Sequence, residues 1–230
     1  WEFAANTGLI DSFIFSSPSG ILKTLAVMSG DGSLFLHTKV TLYETLVSFL
    51  LVIGISFLTA TLLWIFPTVS EILEPWLVVL NSLPKSALAP LLIVWLGSGS
   101  CTIIVAGMSV AVFGSIISMY TAFRETDSEK IKLIHTLGGG KREALCYVIF
   151  PSSLPSVISI LKVNIGLCLV GVIIGEFLAA REGLGYLIIY ASQIFKLNYL
   201  IAALMVLCLI ALILYTVIQK FEHQIKRSRS

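Results

Sequence analysis

Long uncharged stretches alternate with short polar ones along most of the chain. Thr45 to Val69 carries no charge, and Trp76 to Phe123 carries only Lys85 in 48 residues. Pro155 to Ala180 and Tyr199 to Ile218 are the later apolar runs. At about 1.5 Å per residue, Thr45 to Val69 spans about 37 Å as a helix, enough for a hydrocarbon core of about 30 Å with some tilt. Trp76 to Phe123 is too long for one crossing and suits two, divided at Gly97-Ser98-Gly99-Ser100. Backbone polar groups cannot stay unpaired against lipid, so these crossings are helices joined by turns outside the bilayer. The pattern predicts an all-α membrane protein, a polytopic helical bundle forming a single domain over 1–230. Its five complete spans are expected at about 45–69, 76–96, 101–123, 155–180 and 199–218, with a loop over 124–154.

Prolines and lone charges modify the picture. Pro67 closes the first span, and Glu71 and Glu74 mark a watery turn after it. Pro84 and Pro90 interrupt the second span, since each removes a backbone hydrogen bond. Broken helices at membrane depth are tolerated against protein or a water-filled path. Lys162 is expected to snorkel back to the interface, and Gly171-x-x-x-Gly175 to allow close helix approach. Arg181 to Asn198 reads as a short polar segment. Before the first span, Ser16 to Ser19 look like a helix start, Gly20 to Met28 like a short interfacial helix, and Gly30-Asp31-Gly32 like a turn. Residue 1 is Trp, so a trimmed or processed N-terminus is expected, and no signal peptide is visible.

Composition agrees. Charged residues make up 12% of the chain, against about 25% in soluble domains, and the mean hydropathy is +0.98. The net charge of +2, with no basic stripe interleaved with aromatics, gives no sign of a nucleic-acid partner. Cys101, Cys146, Cys168 and Cys208 show no C-x-x-C spacing and read as small buried apolar residues, not metal ligands or disulfides. His37, His135 and His223 are far apart, and no H-E-x-x-H or G-x-S-x-G occurs, so no catalytic or metal site is expected.

The polar stretch from Arg124 to Pro155 holds nine of the 28 formal charges in its first 20 residues. It reads as helix, turn, helix: Lys130 to Leu137, a break at Gly138-Gly139-Gly140, then Lys141 to Ile149 until Pro151 and Pro155 stop it. With this loop and the tail after 219 in the cytoplasm, that side holds nine of 15 Lys plus Arg, as the positive-inside rule requires. The glycine run followed by Lys141 is no phosphate cradle, because His135 and Arg142 occupy places where a Walker A loop needs Gly and Ser or Thr.

The loop resembles the cytoplasmic "EAA" loop of ABC-importer permeases. Gly138 takes the Gly position of that pattern, and Val148 to Pro151 take its terminal I-x-L-P, while Lys132, Leu133 and Ile134 stand where E-A-A is usual. Leu80 to Gly97, Gly175 to Ile188 and Ser16 to Leu25 are similar to the nitrate/sulfonate/taurine branch of these permeases. The resemblance implies a bundle of the type I ABC importer kind, with a further N-terminal span of which at most a tail is seen around Trp1 to Ala5. It implies a homodimer in the cell membrane with a cytoplasmic C-terminus, an external solute-binding protein, and a cytoplasmic ABC ATPase dimer. ATP and Mg would sit on that ATPase, with no cofactor in this chain. It also implies coupling through Lys132, Leu133, Ile134, His135, Thr136, Leu137, Gly138, Gly139, Gly140, Lys141 and Arg142, and a small anionic or zwitterionic solute: a sulfonate, taurine, nitrate or a vitamin precursor.

Pathway candidates are the polar residues within apolar helices: Asn81, Ser82, Lys85, Ser86, Ser109, Asn164 and Glu176. Each has a structural alternative. Lys85 could pair with a carbonyl freed by proline or meet an anionic solute; Glu176 could sit partly hydrated at the outer mouth or line the path; the others could join helices. A secondary transporter or channel with no ATPase is the competing class; it should show an inverted repeat or more charges within the spans.

Overall fold

The computed structural model describes residues 1–3, 7 and 16–227, with side chains through 224. Ala4 and Ala5, where the tail of a further span was expected, and Arg229 of the basic tail lie outside the described residues. Helix α1 (Pro18–Gly30) begins as expected. Ser17 caps it by accepting from Gly20 N, and Pro18 stands at the first turn. The Asp31 carboxylate accepts from Ser33 N at 2.9 Å and Ser33 Oγ at 2.6 Å, which holds it below the usual carboxylate range.

Helix α2 (Ser33–Ile65) starts well before Thr45 and ends at Ile65. Lys39 and Glu44 did not delay it, because Glu44 turns inward and is fully buried. Its inward stripe is built of small and polar residues: Thr41, Thr45, Ser48, Ser56 and Ala60 are buried at helical spacing. Such residues let backbones approach and supply bonds across helices, as Ser48 Oγ does to Ile104 O at 3.1 Å.

Pro67 opens α3 (Pro67–Ser82), and Glu71 and Glu74 lie on that helix, not in a watery turn. Proline is favoured at a first turn, where its missing N–H would have no partner anyway. After Leu83 and Pro84, α4 (Lys85–Leu96) leaves at 94°. The second span is therefore a bent pair broken at Pro84. Pro90 lies inside α4 without ending it.

Helix α5 (Ser100–Arg124) is the central post, packed against α2, α8 and the bent pair. After α6 (Ser128–Thr136) and the turn to Gly140, α7 (Lys141–Ala144) runs through a π turn at Leu145–Ile149 into α8 (Phe150–Ala179). Pro151 and Pro155 do not stop the helix. Pro151 sits in the first turn of α8, and the π turn just ahead takes up the altered hydrogen-bond register. The segment 141–154 thus belongs to a continuous rod, Lys141–Ala179. Helix α9 (Leu184–Gln193) occupies the supposedly polar segment; Leu184, Leu187 and Ile188 are buried against α1 and α10 (Leu197–Arg227). Among the described residues four helices are long and apolar enough to cross a membrane, five if the bent pair counts as one.

The Gly171-x-x-x-Gly175 expectation holds. A Cβ on Gly171 would stand 2.8 Å from Gly107 Cα, and one on Gly175 3.1 Å from Ile103 Cα. Gly107 is where α2, α5 and α8 meet: its Cβ would lie 2.7 Å from Ser48 Oγ and 2.8 Å from Val172 Cγ2. Lys162 pairs with Glu222 of α10, beyond that helix's apolar run, and lies 6.0 Å from the Tyr215 ring centroid. All four cysteines are free, but only Cys168 is buried in the chain; Cys101, Cys146 and Cys208 lie on its surface.

Candidate functional site: the hairpin, the broken span and the outer loop

The Arg124–Gly140 segment folds as a short exposed hairpin with a fixed base. Asp127 caps α6 by accepting from Glu129 N at 2.9 Å. Gly138 takes φ +85, the left-handed region that favours glycine. A Cβ on Gly139 would stand 2.6 Å from Ile134 Cγ2 and 3.1 Å from Ile134 O, so the turn is tight as well as left-handed. His135 Nδ1 lies 2.9 Å from Gly139 O. Gly140 N donates to Glu143 Oε2 at 2.8 Å, capping α7.

The base is bolted to the bundle. Lys141 Nζ donates to Ile65 O at 2.9 Å, satisfying a carbonyl in the last turn of α2. Beneath it Phe57, Phe123 and Phe150 form an aromatic cluster with centroids 5.0–6.0 Å apart. The Tyr120 hydroxyl donates to Ser70 Oγ at 2.8 Å, tying α5 to α3. A cavity of about 420 Å³ at this base is bordered by Trp64, Glu71, Glu74, Arg124 and His135. Outward, Leu133 and Leu137 are 58% and 76% exposed at i, i+4 spacing, an apolar pair presented away from the bundle. Lys132, Thr136 and Arg142 are exposed beside them, and Ile134 is half-buried.

The pathway candidates separate into two groups. Asn81, Ser82 and Ser86 lie on the exposed face at the break between α3 and α4. Lys85, beside them, donates to Leu80 O and stands 5.1 Å from the Phe113 ring centroid. The carbonyl freed near the proline thus takes the lysine, as the structural alternative held. Asn81 packs on Gly114, whose Cβ would meet Asn81 Oδ1 at 3.2 Å. Ser109 bonds its own helix at Ala106 O, 2.8 Å. Asn164 and Glu176 belong to the interior. Asn164 Nδ2 donates to Ser115 Oγ at 2.7 Å, joining α8 to α5.

Glu176 is buried, not partly hydrated at an outer mouth. Thr41 Oγ1 donates to its Oε1 at 2.7 Å, and Gly185 N donates to Oε2 at 2.5 Å. Leu184 N donates to Thr41 Oγ1 at 2.8 Å, and Gly183 N to His37 Nδ1 at 3.0 Å. The carboxylate therefore holds the Arg181–Gly185 loop against α2. Gly183, at φ +116, leaves no space for a side chain, because its Cβ would stand 2.4–2.6 Å from the Glu176 carboxyl group. Glu44 lies beside this latch with both oxygens buried and without a hydrogen bond. Thr41, His37 and Glu44 were not singled out from the sequence. Their signal is faint: three polar residues at helical spacing, ahead of the uncharged run and far in sequence from their partners.

The build is a helical bundle with a bent helix pair and an exposed hairpin, and the comparisons say which family it belongs to. Residues 51–227 match the family described as "Binding-protein-dependent transport system inner membrane component", and the chain belongs to it. It is a transmembrane ABC-importer permease subunit of the nitrate/sulfonate/taurine type and a multi-pass membrane protein. It is 31% identical to a Haemophilus influenzae protein described as "Probable ABC transporter permease protein", over 97% of this chain and 91% of that one. It is 24% identical to the taurine transport system permease protein TauC of Escherichia coli, over 93% of this chain and 80% of that one. A structure of the MetNI methionine ABC transporter in an inward-facing conformation shares the fold: TM-score 0.69, 20% identity, 83% of this chain and 93% of that one.

Proposed function

We propose that this chain forms, with a second copy of itself, the translocation path of an ATP-driven importer for a small anionic or zwitterionic solute of the sulfonate, taurine, nitrate or vitamin-precursor class. An external binding protein delivers the solute, and a cytoplasmic ATPase dimer, carrying ATP and Mg, grips the hairpin at Lys132 to Arg142. The hairpin lies inside the cell, and so does the C-terminus. Closure of the ATPase pair moves the hairpin, and the rod that begins at Lys141 carries the motion outward, switching the path between outward and inward openings. The exposed face of the broken span, with Asn81, Ser82 and Ser86, faces the path.

The observation that supports this reading most is the build of the hairpin. Its tip exposes Leu133 and Leu137, yet its base is fixed by Lys141 on Ile65 O. An apolar pair held at constant height suits a soluble partner that must push on it. Replacing Gly138, Gly139 and Gly140 by valine tests the reading, with co-purification of an ATP-hydrolysing subunit as the measurement. Loss of the complex, with the permease still inserted, is expected. An unchanged complex with unchanged coupled hydrolysis would overturn the docking assignment.

A further inference from the structure

The outer end of the bundle holds a second cavity of about 420 Å³, enclosed by the start of α2, the Gly97–Ser100 turn and the loop after α8. That volume lies within the roughly 300–1,000 Å³ usual for small-molecule sites. Glu44 stands in its wall, fully buried, and neither carboxylate oxygen has a hydrogen-bond donor. Its neighbour Glu176 differs: Thr41 and the Gly185 amide satisfy both of its oxygens. Ser100 and Glu176 lie alongside Glu44, and among the described residues no lysine or arginine forms an ion pair with it. A buried carboxyl group stays ionised only when paired or hydrogen-bonded, and otherwise takes up a proton. Ser100 and Glu176 offer it polar contact but no positive charge, and the residue borders a cavity open to a visitor.

The opposite side of the same cavity has the opposite character. Helix α5, 25 residues long, begins there at Gly99, which has no side chain to cap the first-turn amides. An uncapped N-terminus carries partial positive charge and free N–H donors that suit an anion. Arg181 stands at the rim and adds a full positive charge, and Glu182 stands at the same rim. Anion-seeking and cation-seeking groups therefore face one space.

We propose that this outer cavity binds a small zwitterion, with its cationic nitrogen against Glu44 and its acidic group between Arg181 and the first turn of α5. The inference rests on the permease reading and narrows it: solute handed over outside the membrane first meets the chain here, and a molecule with only one of the two charges leaves half of the site unanswered.

The test uses the assembled transporter, permease with ATPase, in lipid nanodiscs without nucleotide or binding protein. Equilibrium binding of radiolabelled taurine and β-alanine is measured, with ethanesulfonate and ethylamine as competitors bearing one charge each. At least one zwitterion is expected to bind saturably, and about tenfold or more tighter than either competitor. Glu44→Gln and Arg181→Gln should each weaken it about tenfold, and Lys23→Gln, on exposed α1, should not. Arg181 is exposed, so Arg181→Gln tests the site even if Glu44→Gln fails to fold. No saturable binding of either zwitterion, equal binding of ethylamine or ethanesulfonate, or Arg181→Gln binding as well as the native chain would each overturn the site. If the ATPase subunit co-purifies and hydrolyses ATP while zwitterions fail to bind, the permease reading stands and the site falls. If no ATPase subunit co-purifies, the permease reading itself fails, and the site with it.

Discussion

One missing methyl group holds the outer loop in place. Gly183 combines φ +116 with a Cβ direction that runs into the Glu176 carboxyl group, 2.4–2.6 Å away. Alanine there must distort the backbone or displace a carboxylate that receives two donors. Gly183→Ala is expected to cost about 2–3 kcal/mol, the sum of strain at a disfavoured φ and a disturbed buried network. Thermal unfolding in detergent would show it as a lowered Tm. Gly30→Ala, where nothing lies within 4 Å, is the matched control and should change Tm little. The sequence showed a Gly-rich loop here but not its partner. Glu176 and Thr41 are 135 residues apart, and such a contact leaves no local pattern.

Apolar run length placed most helices, and single charges misplaced their ends. Helix α2 extends back past Glu44 to Ser33 because Glu44 turns into the bundle and places no charge on the outer face of the helix at that position. Helix α8 continues past Pro155 because a helix bound on several sides tolerates a proline that a free helix would not. Where glycines or Pro84 created a true break, at Gly97–Gly99, Gly138 and the 94° bend, sequence and structure coincide. Pairing between elements is the part that spacing does not encode. Lys162 and Glu222, with side chains 19% and 10% exposed, clamp α8 to α10. Lys162→Met, which removes the cation beside that carboxylate, should cost about 1–3 kcal/mol, and adding Glu222→Leu should recover part of it. Chemical or thermal denaturation of the single and double variants measures this; a Lys162→Met variant as stable as the native chain would show that the clamp contributes nothing.

For the whole molecule, the orientation proposed from its basic residues makes a labelling prediction. Cys101 opens α5 at the outer end, and Cys146 sits in the π turn near the hairpin, both on the chain's surface. In intact cells a membrane-impermeant maleimide should modify Cys101 and leave Cys146 untouched until the membrane is permeabilised. The reverse order would invert the topology and place the hairpin outside. The class of the molecule was legible from three motif stretches in order along the chain. Its outer carboxylate pair was not, because Glu44 looked like no more than the charge bounding an apolar run.

The rod from Lys141 to Ala179 is not supported evenly along its length. At Gly171 its backbone comes so close to α5 that a Cβ would stand 2.8 Å from Gly107 Cα, near the Ala179 end. At about 1.5 Å per residue the arm inward of that fulcrum is about 45 Å and the arm outward about 12 Å. A rod rocking there has a gearing of roughly four to one. A wide, weak sweep at the hairpin end would become a short, forceful nudge at Glu176.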